Sequence, residues 1–131
     1  PSPEEPAAPV KKSKGDKSFR QRLEETSEEF KNLYISIHDY ILSLGDDIAE
    51  NQLKLYVAFK KVRNIACVEV YQSYILIYLR LNPDTVDLKP GKIEDVREKG
   101  HWGTGDLRVI IKNSEDFESI KSLLDRAYYE N

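Results

Sequence analysis

Between residues 53 and 111, apolar side chains recur at every second position in four separate runs. Successive side chains of a β-strand point to opposite faces, so this period of two predicts four strands, each with one apolar face. The gaps after the first and second runs are so short that they predict antiparallel hairpins. The apolar members are Leu53, Leu55, Val57 and Phe59; Ala66, Val68 and Val70; Ile75, Ile77, Leu79 and Leu81; and Leu107, Val109 and Ile111.

Helical spacing replaces this alternation before the first run. Thr26 and Glu29 have the form of a capping box, in which each side chain satisfies the other residue's backbone donor. The apolar side chains of residues 30–44 then recur every three or four positions, and Gly45 is predicted to end the helix. A second box over residues 18–21 predicts an additional helical turn upstream.

A last helix is predicted to begin at Ser114, because Glu115 and Asp116 suit the positive end of a helix dipole. Its buried stripe is Phe117, Ile120, Leu124 and Ala127. The predicted order is α-β-β-β-(long loop)-β-α, an α+β fold with an antiparallel sheet of about four strands and two helices packed on one face. The connection over residues 82–105 is long enough to predict a short element of its own near residues 93–97.

The sequence divides into a tail and one domain. Four of the six prolines lie in residues 1–15, a segment with too little apolar surface to offset the entropy of ordering it. We therefore expect a disordered linker over residues 1–15 and a single α+β accessory domain over residues 16–131, partnered by an N-terminal domain of the same parent chain. One cysteine, no apolar run of about 18 residues and no signal peptide favour a cytoplasmic protein.

The alternation also predicts what lies on the other face of the sheet. That face receives four tyrosines and five basic side chains against one acid, although the net charge of the chain is −3. Aromatic rings stack on unpaired bases and cations follow phosphates, so such a face suits single-stranded nucleic acid. Two other interpretations stay open: an ordinary solvated or covered face, and a protein or dimer interface. The residues are Lys54, Tyr56, Lys60, Ile65, Cys67, Glu69, Tyr71, Tyr74, Leu76, Tyr78, Arg80, Arg108, Ile110 and Lys112.

A loop before the last run combines three of the six glycines with the only tryptophan. Gly100, Gly103 and Gly105 permit positive φ angles, which would let the chain turn sharply there. Trp102 suits stacking on a ligand, and His101 can donate a hydrogen bond or bind phosphate when protonated. The alternative is that the tryptophan fills a small core beneath its own loop. The spacing does not match a phosphate-binding glycine fingerprint, since this loop opens a strand and not a helix.

Four segments together resemble a known family. They are residues 55–60 (LYVAFK), 64–72 (NIACVEVYQ), 75–82 (ILIYLRLN) and 100–106 (GHWGTGD), the last being the most specific. They are similar to an uncharacterised prokaryotic domain family labelled "predicted transport protein". That family often lies at the C-terminal end of proteins whose other domains look like restriction or nuclease modules. The resemblance implies an accessory module near DNA-processing partners and brings no activity with it.

These observations lead to one hypothesis and one alternative. The hypothesis is a non-catalytic accessory binding module of a larger DNA-processing or restriction-type protein, without metal or cofactor, that contacts nucleic acid or a nucleotide. The alternative is a protein–protein or dimerisation module that uses the same face. On the hypothesis, Tyr78→Ala combined with Arg80→Ala weakens binding and leaves the fold intact. The predicted contacts are Tyr56, Lys60, Tyr78, Arg80, His101, Trp102 and Arg108.

Overall fold

The computed structural model describes residues 17–99 and 105–131, in which six strands form a single sheet. The strand order is β1-β2-β3-β4-β6-β5, and every neighbouring pair is antiparallel. The two hairpins predicted from the short gaps are confirmed as β2–β3 and β3–β4. The strands are β1 (Ala49–Gln52), β2 (Val57–Lys60), β3 (Asn64–Val70), β4 (Ile75–Leu79), β5 (Ile93–Asp95) and β6 (Leu107–Ile111).

Four helices bury their apolar sides in one core with the alternating residues of the sheet. The core contains the predicted inward positions of β3, β4 and β6, together with side chains from every helix. This confirms an α+β fold in which the helices share one sheet face. Among the residues that the structure describes, no helix is long and apolar enough to cross a membrane. The helices are α1 (Phe19–Glu25), α2 (Glu28–Ser43), α3 (Ser114–Ser119) and α4 (Lys121–Tyr129).

The prediction of four strands and two helices understated this architecture. Strand β1 has no apolar alternation, because all four of its side chains are exposed, and Leu53 lies in the turn that follows it. At the other end of the chain, the predicted last helix is two helices. Its path breaks at Ile120, where φ is −111° and ψ is 8°.

The helices begin where the capping motifs of the sequence predicted, except that the cap of α2 lies one residue later. Ser18 caps α1 in the predicted reciprocal box with Gln21. The cap of α2 is Ser27, not Thr26, since the Ser27 hydroxyl accepts from the backbone N–H of Phe30 over 3.2 Å. The buried Thr26 hydroxyl instead donates to the carbonyl of Tyr71, 3.3 Å away, and so ties the α1–α2 junction to the β3–β4 hairpin.

The long connection carries the short element that its length predicted. Strand β5 falls within it, and a 3₁₀ turn (Pro83–Thr85) precedes this strand. The connection returns to the sheet at Gly105, whose φ of +135° is rare for any residue with a side chain. A Cβ atom added at Gly105 would lie 2.7 Å from the backbone oxygen of Leu79, so this glycine also permits a close approach of two chain segments.

His38 links α2 to the edge strand β1. Its Nδ1 lies 2.9 Å from an oxygen of Asp39, and its Nε2 lies 2.8 Å from an oxygen of Glu50. Burial by itself lowers the pKa of His38, but the two carboxylates outweigh this effect and the pKa is raised above its ordinary value. The ring also packs near Tyr34 and Phe59, with centroid separations of 6.0 Å.

We expect the stabilising contribution of His38 to be complete at acidic pH and lost as the pH rises through its raised folded-state pKa. A histidine with a higher pKa in the folded state binds more protons there, so protonation favours folding. The free energy of unfolding of the native chain minus that of His38→Gln should be larger at about pH 5.5 than at about pH 9, by on the order of 0.5 kcal/mol. Urea unfolding followed by circular dichroism measures both values. An identical difference at the two pH values would contradict the prediction.

Candidate binding site on the second face of the sheet

The face of the sheet turned away from the helices, which we call the second face, has an apolar cluster of its own. Tyr56 and Tyr78 are only 4% and 3% exposed within it. Val96, just after β5, is also buried there, and its N–H donates to the carbonyl of Asp106 over 2.9 Å. Part of the second face is therefore covered. The buried cluster is Tyr56, Ala58, Cys67, Tyr78 and Val96, and its partly buried neighbours are Leu55 and Leu76.

One row of side chains crosses five strands of the second face. In register, the row runs Ala58, Cys67, Tyr78, Arg108 and Glu94, from β2 to β5. The Nε of Arg108 donates to Glu94 over 3.1 Å, and its guanidinium also bonds the hydroxyl of Tyr78. These two partners hold the guanidinium in one orientation while a quarter of the side chain stays exposed.

A buried carboxyl lies beside this row. Glu69 is 3% exposed and accepts a hydrogen bond from the hydroxyl of Tyr71 over 2.5 Å. Burial raises the pKa of Glu69, and the hydrogen bond from Tyr71 and the charges of Arg22 and Arg108 oppose that rise. Burial, reinforced by the charge of Glu69, raises the pKa of Tyr78 to about 12, so this phenol is neutral at physiological pH.

The β3–β4 hairpin presents an aromatic stack at one end of the second face. The rings of Tyr71 and Tyr74 are stacked, with centroids 5.0 Å apart and planes inclined by 20°. The guanidinium carbon of Arg22 lies 4.6 Å from the centre of the Tyr71 ring, which is a cation–π contact. The N–H of Tyr71 donates to the carbonyl of Tyr74 over 2.9 Å and closes the hairpin turn.

An open groove of about 440 Å³ runs between this stack and Arg108. Its floor is formed by Leu76 and Ile110, which are directly paired across β4 and β6. Lys112 is exposed at the end nearest Tyr74, and none of the described lining residues is acidic. The described residues that line it are Ser73, Tyr74, Leu76, Gly91, Arg108, Ile110 and Lys112.

The sequence-predicted contacts are distributed unevenly over the structure. Arg108 lines the groove and hydrogen-bonds Tyr78, which is buried together with Tyr56 in the neighbouring cluster. Lys60 is exposed at the end of β2. The half-buried Arg80 donates from Nε to the carbonyl of Asn64 over 2.7 Å. The two remaining contacts, His101 and Trp102, lie outside the described residues, as do Gly100 and Gly103.

Four groove residues were assigned to this face by alternation but were not chosen as contacts. They are Tyr74, Leu76, Ile110 and Lys112. A tyrosine at the end of a hairpin, beside basic positions, is a signal that could have identified Tyr74 and Lys112. The assignment of Ile65 to the second face was wrong, because Ile65 packs in the core between the sheet and the helices. A register shift between Phe59 and Lys60 accompanies that change at the β2–β3 pairing. Among the described residues, no cluster of histidine, cysteine or carboxylate side chains suits a metal ion.

Comparison with known proteins gives a family but no activity. Residues 19–131 match the family model described as "Domain of unknown function (DUF5655)". A Haemophilus influenzae protein, named "Uncharacterized protein", is 35% identical over 105 residues, which are 80% of this chain and 35% of the relative. The chain thus spans about a third of that relative's length. No solved structure matches the chain.

Proposed function

The chain belongs to the DUF5655 family, whose description assigns no activity, and from its second face we propose that it is a non-catalytic accessory module that binds nucleic acid. Membership of an uncharacterised domain family is what the sequence resemblance implied. We further propose, from that resemblance, that the module serves a larger DNA-processing or restriction-type protein.

The observation that carries the proposal is the composition of the groove. Its two cations, Arg108 and Lys112, flank an apolar floor, and Tyr74 stands beside it with an aromatic ring. Nucleic-acid sites combine these elements, because cations neutralise phosphates and aromatic rings stack on bases. The guanidinium of Arg108 is already oriented by Glu94 and Tyr78, so binding would cost little of its side-chain entropy.

The other predicted contacts have different roles in this proposal. Lys60 and Arg80 extend the basic surface along the sheet and track the phosphate backbone. Tyr56 and Tyr78 are buried, so they support the contact surface and do not stack on bases. His101 and Trp102 remain proposed contacts on the strength of the sequence alone.

We expect Lys112→Ala to weaken the binding of short single-stranded DNA several-fold at low salt. Loss of one phosphate contact should also make the salt dependence shallower, by about one unit in the slope of log K against log salt concentration. Fluorescence anisotropy with a labelled oligonucleotide of about twelve nucleotides measures both quantities. The matched control is Lys31→Ala, since Lys31 lies on α2 and its ammonium has, among the described residues, a single long ion-pair contact of 3.9 Å with Glu28.

Two results would count against the proposal. If Lys31→Ala and Lys112→Ala reduce affinity equally, binding is a general charge effect and the groove is not the site. If no DNA or RNA binds at low salt, and sedimentation shows a concentration-dependent dimer that Lys112→Glu disrupts, the dimerisation alternative replaces nucleic-acid binding.

A further inference from the structure

The aromatic stack beside the groove is built from successive layers. Arg22 of α1 covers one face of Tyr71, and Tyr71 stacks in turn on Tyr74. Tyr74 is the outer member of this series, and it is the one that lines the groove. A ring has two faces, and among the described residues Tyr71 is the one ring that stacks on Tyr74. The second face of Tyr74 is therefore the one that can accept a further planar group.

The charges of the groove lie on either side of this position. Across β4 and β6, Leu76 is paired with Ile110, and the pair two residues further along is Tyr78 with Arg108. Lys112 lies two residues from Ile110 in the opposite direction, so Arg108 and Lys112 bracket the apolar floor. Arg108 lies on β6 and Lys112 directly follows that strand, four residues further along, a separation of about 13 Å.

The surroundings of these two cations differ. Glu94 neutralises part of the charge of Arg108. The Lys112 ammonium forms no ion pair within the part of the chain that the structure describes, and its nearby acid, Asp116, is bound by Lys92 at 3.0 Å. Lys112 is therefore the cation with the larger capacity to bind a phosphate.

We propose that the groove binds a single unpaired base, stacked on Tyr74, with its flanking phosphates on Lys112 and Arg108. This rests on the proposed function and specifies its ligand as single-stranded nucleic acid recognised one nucleotide at a time. The groove volume of about 440 Å³ lies within the range of small-ligand pockets. A base inside a duplex is stacked on both sides, so it cannot offer a face to Tyr74 without being unstacked.

The test compares two ligands of equal charge that differ only in their bases. One is a thymidine pentanucleotide, and the other is the same sugar–phosphate chain with every base replaced by an abasic residue. The 131-residue chain should bind the pentanucleotide about tenfold more tightly than the abasic chain, because only the first can stack. Tyr74→Leu should abolish that preference and Tyr74→Phe should retain it. Lys112→Ala should weaken both ligands by the same factor.

The outcomes separate the inference from the proposed function. Equal affinity of the native chain for the two ligands, with Lys112→Ala weakening both, overturns base stacking and leaves nucleic-acid binding intact. If the native chain binds neither pentanucleotide ligand and no longer DNA or RNA, both the inference and the proposed function are overturned. The comparison of ligands on the native chain decides the question even if Tyr74→Leu does not fold, and circular dichroism checks the fold of each variant.

Discussion

Replacing Gly105 with alanine is expected to lower the free energy of unfolding by about 3 kcal/mol or more. Two costs combine at this position. The φ of +135° is strained for a residue with a side chain, and the new Cβ would lie 2.7–2.9 Å from backbone atoms of Leu79. Backbone atoms in the middle of a sheet cannot move aside as the end of a flexible side chain can, so β4 and the start of β6 would have to separate.

Gly91→Ala is the matched control for this prediction. Gly91 also has a positive φ, of +80°, but apart from its chain neighbours no atom of the described residues lies within 4 Å of its added Cβ. It should therefore show only the backbone cost, on the order of 1 kcal/mol. Urea unfolding of both variants measures the difference. Equal losses at the two positions would mean that the close approach to Leu79 contributes nothing.

Tyr78→Ala is expected to destabilise the domain by about 3–5 kcal/mol, as is typical when a large buried aromatic side chain is truncated. Tyr78 is 3% exposed in the cluster of the second face, and its hydroxyl bonds the guanidinium of Arg108. The variant would leave a cavity and remove one of the two partners that orient Arg108. The combined Tyr78→Ala and Arg80→Ala variant would thus mix a loss of stability with any loss of binding.

Tyr78→Phe separates these contributions. It keeps the packed ring and removes only the hydroxyl, so the expected loss is about 1 kcal/mol. Thermal and urea unfolding of the two variants provide the comparison. If Tyr78→Ala unfolds at nearly the same urea concentration as the native chain, the ring of Tyr78 does not stabilise the domain and the prediction is wrong.

The sequence predicted those parts of the fold that depend on local periodicity. The inward residues of β3, β4 and β6, the stripe of the last helix and the α1 cap all follow from spacing alone. Strand β1 could not be predicted in this way, because its side chains are exposed and its stability comes from pairing with β2. The choice between Thr26 and Ser27 as a cap depended on the distant carbonyl of Tyr71, which a local motif does not contain.

The sequence predicted which residues lie on the face of the candidate site, but it could not predict which of them are exposed. Alternation assigned Tyr56, Tyr74, Tyr78 and Arg108 to one face, and that assignment alone made each tyrosine an equal candidate for stacking. Which tyrosine is accessible depends on the connection between β4 and β6, because Val96 of that connection lies in the buried cluster with Tyr56 and Tyr78. Burial of this kind follows from contacts between distant segments, so spacing could not separate Tyr74 from Tyr78.

The position of β5 has a consequence for how this domain can vary. Strands β4 and β6 pair directly, so the connection between them leaves the sheet and rejoins it at the same place. It adds β5 only at the outer edge, and the four central strands, β2, β3, β4 and β6, pair with one another without it. Loop closure becomes only slightly less favourable as a loop lengthens. The exposed residues 87–92 of the connection can therefore be lengthened or exchanged between proteins at little cost to the scaffold, whereas Ile93 and Val96 are buried and hold the connection in place. Those exposed residues are the part of the connection where binding specificity can change.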